Sequence, residues 1–170
     1  MPRLFSSKVI FFLIASIAFD VCIIPWVLGG TVKPVVSYLF VPYAALEWHW
    51  TKSIPAALML GFFRDILSVQ LFGTEMLALF AAALILNLFI QKISPQSGIL
   101  KMLATFVFVF FTGLNIVLVH FIRGFPIEFS WFHLSVCFST AFITTCLMPI
   151  VFFLAHRWFR EDFRYSHRAI

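Results

Sequence analysis

Charge is scarce in this chain. Only 11% of its 170 residues are Asp, Glu, Lys or Arg, against about 25% in soluble domains. With 62% hydrophobic residues, that shortage excludes a soluble globule and makes lipid the main solvent. No Pro/Ser-rich linker and no internal repeat divides the sequence. It reads as one membrane domain, 1–170, ending in a basic cytoplasmic tail, 157–170. Enzyme signatures are missing too: there is no Gly-x-Ser-x-Gly, His-Glu-x-x-His, Walker loop or Cys-x-x-Cys. The expectation is a protein that is no enzyme, with no cofactor and no metal. His49, His120, His133, His156 and His167 are scattered over span ends and loops, which suits interfacial or packed imidazoles. Cysteine is limited to Cys22, Cys137 and Cys146. The last two are nine apart on one expected helix, about 13 Å, too far for a disulfide. All three read as small buried hydrophobes. The formal net charge of +5 points to cytoplasmic Lys/Arg and anionic lipid, with no nucleic acid.

What is present is a series of long apolar runs. An all-α integral membrane protein, a six-helix transmembrane bundle, is expected, with spans over 9–28, 34–46, 53–72, 74–90, 99–121 and 132–156. A spanning helix needs about 20 residues. The second run is shorter and carries Pro34 and Pro42, so it is expected to be kinked, re-entrant or thinly embedded. Arg3 and Lys8 before an apolar run resemble a signal peptide. Asp20 interrupts that run and no Ala-x-Ala site follows, so a retained first helix is expected. With both termini inside, the inner segments hold Arg3, Lys8, Lys52, Lys92, Lys101, Arg157, Arg160, Arg164 and Arg168. The outer loops hold Lys33 and Arg123, as the positive-inside rule requires. The five tryptophans fall at span ends, as an aromatic belt does.

Arg64 and Asp65 break the pattern, side by side inside the third run. Charge at the bilayer centre costs roughly 2.5–3.5 kcal/mol per residue on insertion scales, so a chain keeps such groups only when they have partners. Asp20 lies at a similar depth in the first span, which runs the same way, and an Asp20–Arg64 ion pair is expected. Gly61, Asp65 and Ser68 are spaced i, i+4, i+7 and share a helix face. Gly61 lets another backbone approach that face closely. Glu75, Asn115 and His120 add to an outward-leaning polar cluster. The pattern leaves three uses open: internal glue, a docking surface for another protein's membrane helix, or a ligand or proton site. In the tail, Arg157, Arg160, Arg164 and Arg168 recur at helical spacing beside Phe159 and Phe163. That suits a helix lying on the anionic inner leaflet, with contact to a cytoplasmic partner as the alternative.

The motif Gly61-x-x-x-Asp65-x-x-Ser68-x-x-x-x-Gly73, followed by the Ala/Leu-rich stretch 76–88, resembles the signature of the bacterial rod shape-determining protein MreD family. Length, span count and the short proline-bearing second span are also similar. The resemblance implies a non-enzymatic scaffold of the cell-elongation machinery in the inner membrane, binding MreC. Through MreC it would connect to the RodA glycosyltransferase, its transpeptidase partner and, indirectly, MreB. The family's fold is similar to that of the substrate-binding subunits of energy-coupling-factor transporters. A small-molecule-binding subunit of a vitamin-type transporter is therefore the alternative.

Overall fold

An apolar segment in lipid must satisfy its own backbone, and a single segment does so as a helix. The computed structural model describes residues 7–28, 33–48, 52–67, 72–93, 97–123 and 131–166. Among them there is no strand. Helix α1 covers 7–28: Ser7–Ala18 and Ile24–Leu28 are joined by a wide π-helical turn, Phe19–Ile23. Helix α2 covers 36–48, starting as a 3₁₀ turn, Val36–Leu39, and ending in a π-helical turn, Ala44–Trp48. Then follow α3 (Ser53–Leu67), α4 (Thr74–Ile93), α5 (Gly98–Ile122) and α6 (Trp131–Ser166). Among the described residues, four stretches are long and apolar enough to cross a membrane: Val9–Trp26, Thr74–Lys92, Gly98–Ile122 and Trp131–Trp158. This is a multi-pass membrane protein.

The short second run, expected to be kinked, re-entrant or thinly embedded, lies buried among the other helices. It is the axis of the bundle. Residues 37–45 are all buried, so every side of α2 is covered. A helix that is apolar all round belongs in an interior. Phe40 meets Phe12 of α1 at 6.2 Å, and Tyr43 meets Phe152 of α6 edge-on at 5.2 Å. Around this axis α3 packs on α4, α4 on α5, and α5 on α6. Small residues permit the close pairs. A Cβ on Gly113 would stand 3.1 Å from the Cys137 sulfur, where α5 and α6 meet.

The third run is helical over Ser53–Leu67, and residues 68–71 lie outside the described residues. The tail is helical as far as Ser166. The helix does not stop at the end of the last span. It continues unbroken to Ser166, 36 residues in all, with Pro149 inside it.

Candidate functional site

A helix that starts inside a bundle has a problem at its N-terminus. Its first N–H groups have no partner within the helix, and no water reaches them. Two helices here start that way, and neither has a side chain of its own to solve it. The residue before α2 is Val35, which offers no capping side chain. The residue before α4 is Gly73, held at a φ of 91°, a left-handed conformation that glycine adopts without strain.

Both starts are capped from neighbouring helices by aspartates. Asp20, carried on the π turn of α1, accepts from the Val36 N–H at 2.8 Å and from the Ser37 N–H at 2.9 Å. Thr144 Oγ1 on α6 takes the Val35 N–H at 3.1 Å. Asp65 on α3 accepts from three N–H groups: Gly73 at 3.0 Å, Glu75 at 3.0 Å and Met76 at 3.1 Å. It does for α4 what a Ser or Asp at position 73 would do.

Arg64 ties the two caps together. Successive helix residues point about 100° apart, so Asp65 turns to α4 while Arg64 turns to α1 and α2. Its Nη1 lies 3.3 Å from Asp20 Oδ2 and donates to Ser37 Oγ at 3.0 Å. Its Nη2 lies 3.5 Å from Glu75 Oε1. The guanidinium carbon sits 4.8 Å from the centre of the Tyr38 ring, a cation–π contact. Tyr38 donates to Glu75 Oε2 at 2.5 Å, and Arg123 donates to Thr74 Oγ1 at 3.0 Å. Three carboxylates, two guanidiniums and two helix starts meet here. Each helix start carries about half a positive charge, so the cluster comes close to neutrality.

Of the expected site residues, the structure brings together Asp20, Arg64, Asp65, Gly73 and Gly61. The face of α3 holding Gly61 and Asp65 is not open to an outside helix. It is covered by α4, and both residues are buried. A Cβ on Gly61 would stand 2.5 Å from Met76 Cα, so only glycine lets the two backbones meet there. Asp65 accepts three backbone N–H bonds around the start of α4. Ser68 and Arg168 lie outside the described residues. Arg157 is exposed, and Arg160 and Arg164 follow on the same helix. Glu75 joins the cluster as anticipated. Tyr38, Ser37 and Thr144 were missed. Tyr38 carried a usable signal, because a tyrosine inside an apolar run needs a partner for its hydroxyl.

A second, smaller polar pairing lies at the opposite end of the bundle. Lys101 Nζ on α5 meets Glu47 Oε1 at 2.6 Å. Nearby in the fold, Ser53 Oγ donates to Asn87 Oδ1 at 2.6 Å. Among the described residues no three His, Cys, Asp or Glu side chains stand together as a metal set would. The cysteines are free thiols. No family model matches the chain, and no curated protein or solved structure matches it.

Proposed function

We propose that this chain is a non-enzymatic scaffold of the bacterial cell-elongation machinery, of the MreD type, in the inner membrane. One observation carries the reading. The spacing Gly61-x-x-x-Asp65…Gly73, on which the resemblance rests, has a single physical logic in the fold. Gly61 admits the α4 backbone, Asp65 caps α4, and Gly73 makes the turn between. A motif so constrained defines a structural unit, which suits a protein whose work is to hold partners rather than to turn over substrate. In this reading the chain crosses six times, with α2 and α3 as the shorter crossings, and both termini are cytoplasmic. It binds MreC and so links to RodA, its transpeptidase partner and, indirectly, MreB. The same reading expects the bundle to resemble the substrate-binding subunits of energy-coupling-factor transporters.

A second reading, a small-molecule-binding subunit of a vitamin-type transporter, has one observation in its favour. Asn115 Nδ2 on α5 and His133 Nδ1 on α6 are buried without a hydrogen-bond partner. Such atoms are costly unless something meets them. Co-purification in mild detergent separates the two readings. The scaffold reading expects MreC to accompany the protein and rod-shaped cells to round when it is depleted. Recovery of an ATPase module in place of MreC, with unchanged cell shape, would overturn it in favour of the transporter.

A further inference from the structure

We propose that the bundle holds a water-filled cleft between α5 and α6, open to the outer side and reaching down to the start of α2. This rests on the orientation proposed above and on neither of the two functional readings.

Lipid and protein interior leave opposite marks on a helix. On α6, Ser135, Phe138, Phe142 and Cys146 are exposed and recur at helical spacing, one line that faces lipid. His133, Cys137, Thr140 and Thr144 form a second line, turned about 180° from the first. Thr144 is fully buried, and its hydroxyl meets the Val35 N–H at the start of α2. Outward of that level the line still faces inward, yet Thr140, Cys137 and His133 are each only half-buried. The inward line of α5 changes in the same way. Ala104, Phe108 and Thr112 are fully buried, and the next residues on it, Asn115 and Val119, are half-buried. The two helices touch at Gly113 and Cys137, so both lines open at the outer end of the bundle.

Hydrocarbon does not suit this opening. A lipid tail offers no hydrogen bond, and polar groups set against it stay unpaired. The inward line of α6 is His, Cys, Thr and Thr, while its lipid line carries Phe138 and Phe142. Protein does not close the opening either. Asn115 Nδ2 and His133 Nδ1 are buried there without a hydrogen-bond partner. Such an atom is costly, and water removes the cost where several polar groups converge. Asn115, His133 and Thr140 supply both donors and acceptors. Neither line carries Asp, Glu, Lys or Arg, so the contents are uncharged, and water is the neutral molecule that the outer side supplies in excess. At the floor Thr144 holds Val35 beside the Asp20 cap. Solvent that reaches this level stands next to the charged cluster, where a charge in lipid would be most costly.

Cys137 is a native probe of the cleft. Cys22 and Cys146 are exposed and are replaced with Ala, which leaves Cys137 as the only cysteine. Right-side-out and inside-out membrane vesicles are each treated with an impermeant methanethiosulfonate. The thiolate is the reacting form, so a thiol held in hydrocarbon stays unlabelled. Phe138→Cys, in a chain without the native cysteines, puts the same probe at the same depth on the lipid face. The expected result is labelling of Cys137 from the outer side, on the order of tenfold faster than at position 138. Adding Asn115→Leu and His133→Leu takes away the polar partners of the water and slows labelling of Cys137 several-fold. Asn115→Ser with His133→Gln, which keep polar groups there, retains it. Labelling from the inner side alone would overturn the orientation and with it an outward opening. Protection from both sides, equal rates at 137 and 138, or a rate untouched by the leucines would overturn the cleft itself.

Discussion

The two ends of the bundle solve the same problem with opposite electrostatics. At one end Asp20 and Asp65 sit at helix starts, where backbone dipoles favour a negative charge. Those carboxylates accept five backbone N–H bonds between them. At the other end Glu47 lies in the last turn of α2 and Lys101 in the first turn of α5. Each is at the wrong pole of its own helix, and each is offset by the other. The first cluster is largely buried, with the Asp20, Glu75 and Arg64 side chains 5%, 7% and 18% exposed. The second is half-open, at 28% and 23%. Charges that work with the backbone can be buried deeply. Charges that work only with each other stay near the edge.

Substitutions at the two ends should therefore differ sharply. The largest effect is expected from Asp65→Ala. It strips the acceptor from three N–H groups at the start of α4, at about 1–3 kcal/mol for each that stays unpaired. The protein should fail to accumulate in membranes, and Asp65→Asn, which keeps one acceptor oxygen, should fall between it and the parent.

Next come Arg64→Met, which takes the shared cation from Asp20 and Glu75, and Asp20→Asn, which leaves Arg64 with Glu75 as its carboxylate partner; each should cost up to about 3–5 kcal/mol. Their double mutant should be less than additive, by about 0.5–3 kcal/mol, in denaturant unfolding in micelles. Exchange of the two residues should not rescue. An arginine at position 20 cannot accept from Val36 and Ser37, so Asp20 is more than one half of an ion pair.

Gly61→Ala should cost about 1–3 kcal/mol, because its Cβ needs room that the Met76 backbone occupies. Gly61→Leu should lower the amount of folded protein rather than selectively block a partner. Normal accumulation of Gly61→Leu would show that α3 and α4 are not packed as described.

The smallest effect is expected at the opposite end. Lys101→Gln should change stability by less than about 1 kcal/mol, and the double change with Glu47→Gln should be near neutral. A large loss there would erase the distinction between the two ends.

The sequence made part of this visible. Arg64 next to Asp65 in an apolar run announced a buried polar site, because the cost of such charge forces partners on it. The depth of Asp20 pointed to Arg64, and the i, i+4 spacing put Gly61 and Asp65 on one face. What lay opposite that face was hidden, because periodicity shows which residues turn together and not what they turn toward. The central place of α2 was equally hidden. A short run with two prolines looks like a poor span, and only the burial of residues 37–45 shows that it meets protein rather than lipid on every side. The caps were out of reach for a related reason. An N-cap is sought at the position just before a helix, and here the capping carboxylates arrive from 16 residues upstream for Val36 and from eight upstream for Gly73.

A 13-residue apolar helix cannot lead its own way into a bilayer, since crossing the hydrocarbon takes about 20 residues. During synthesis α2 is therefore a passenger. Its flanking helices must enter with it or before it, and its first N–H groups remain uncapped until Asp20 is beside them. Once α3 emerges, Arg64 closes over that start and Asp65 is ready for the beginning of α4. In the order of the chain, then, Asp20 precedes the helix start that it caps, and Asp65 precedes the start of α4.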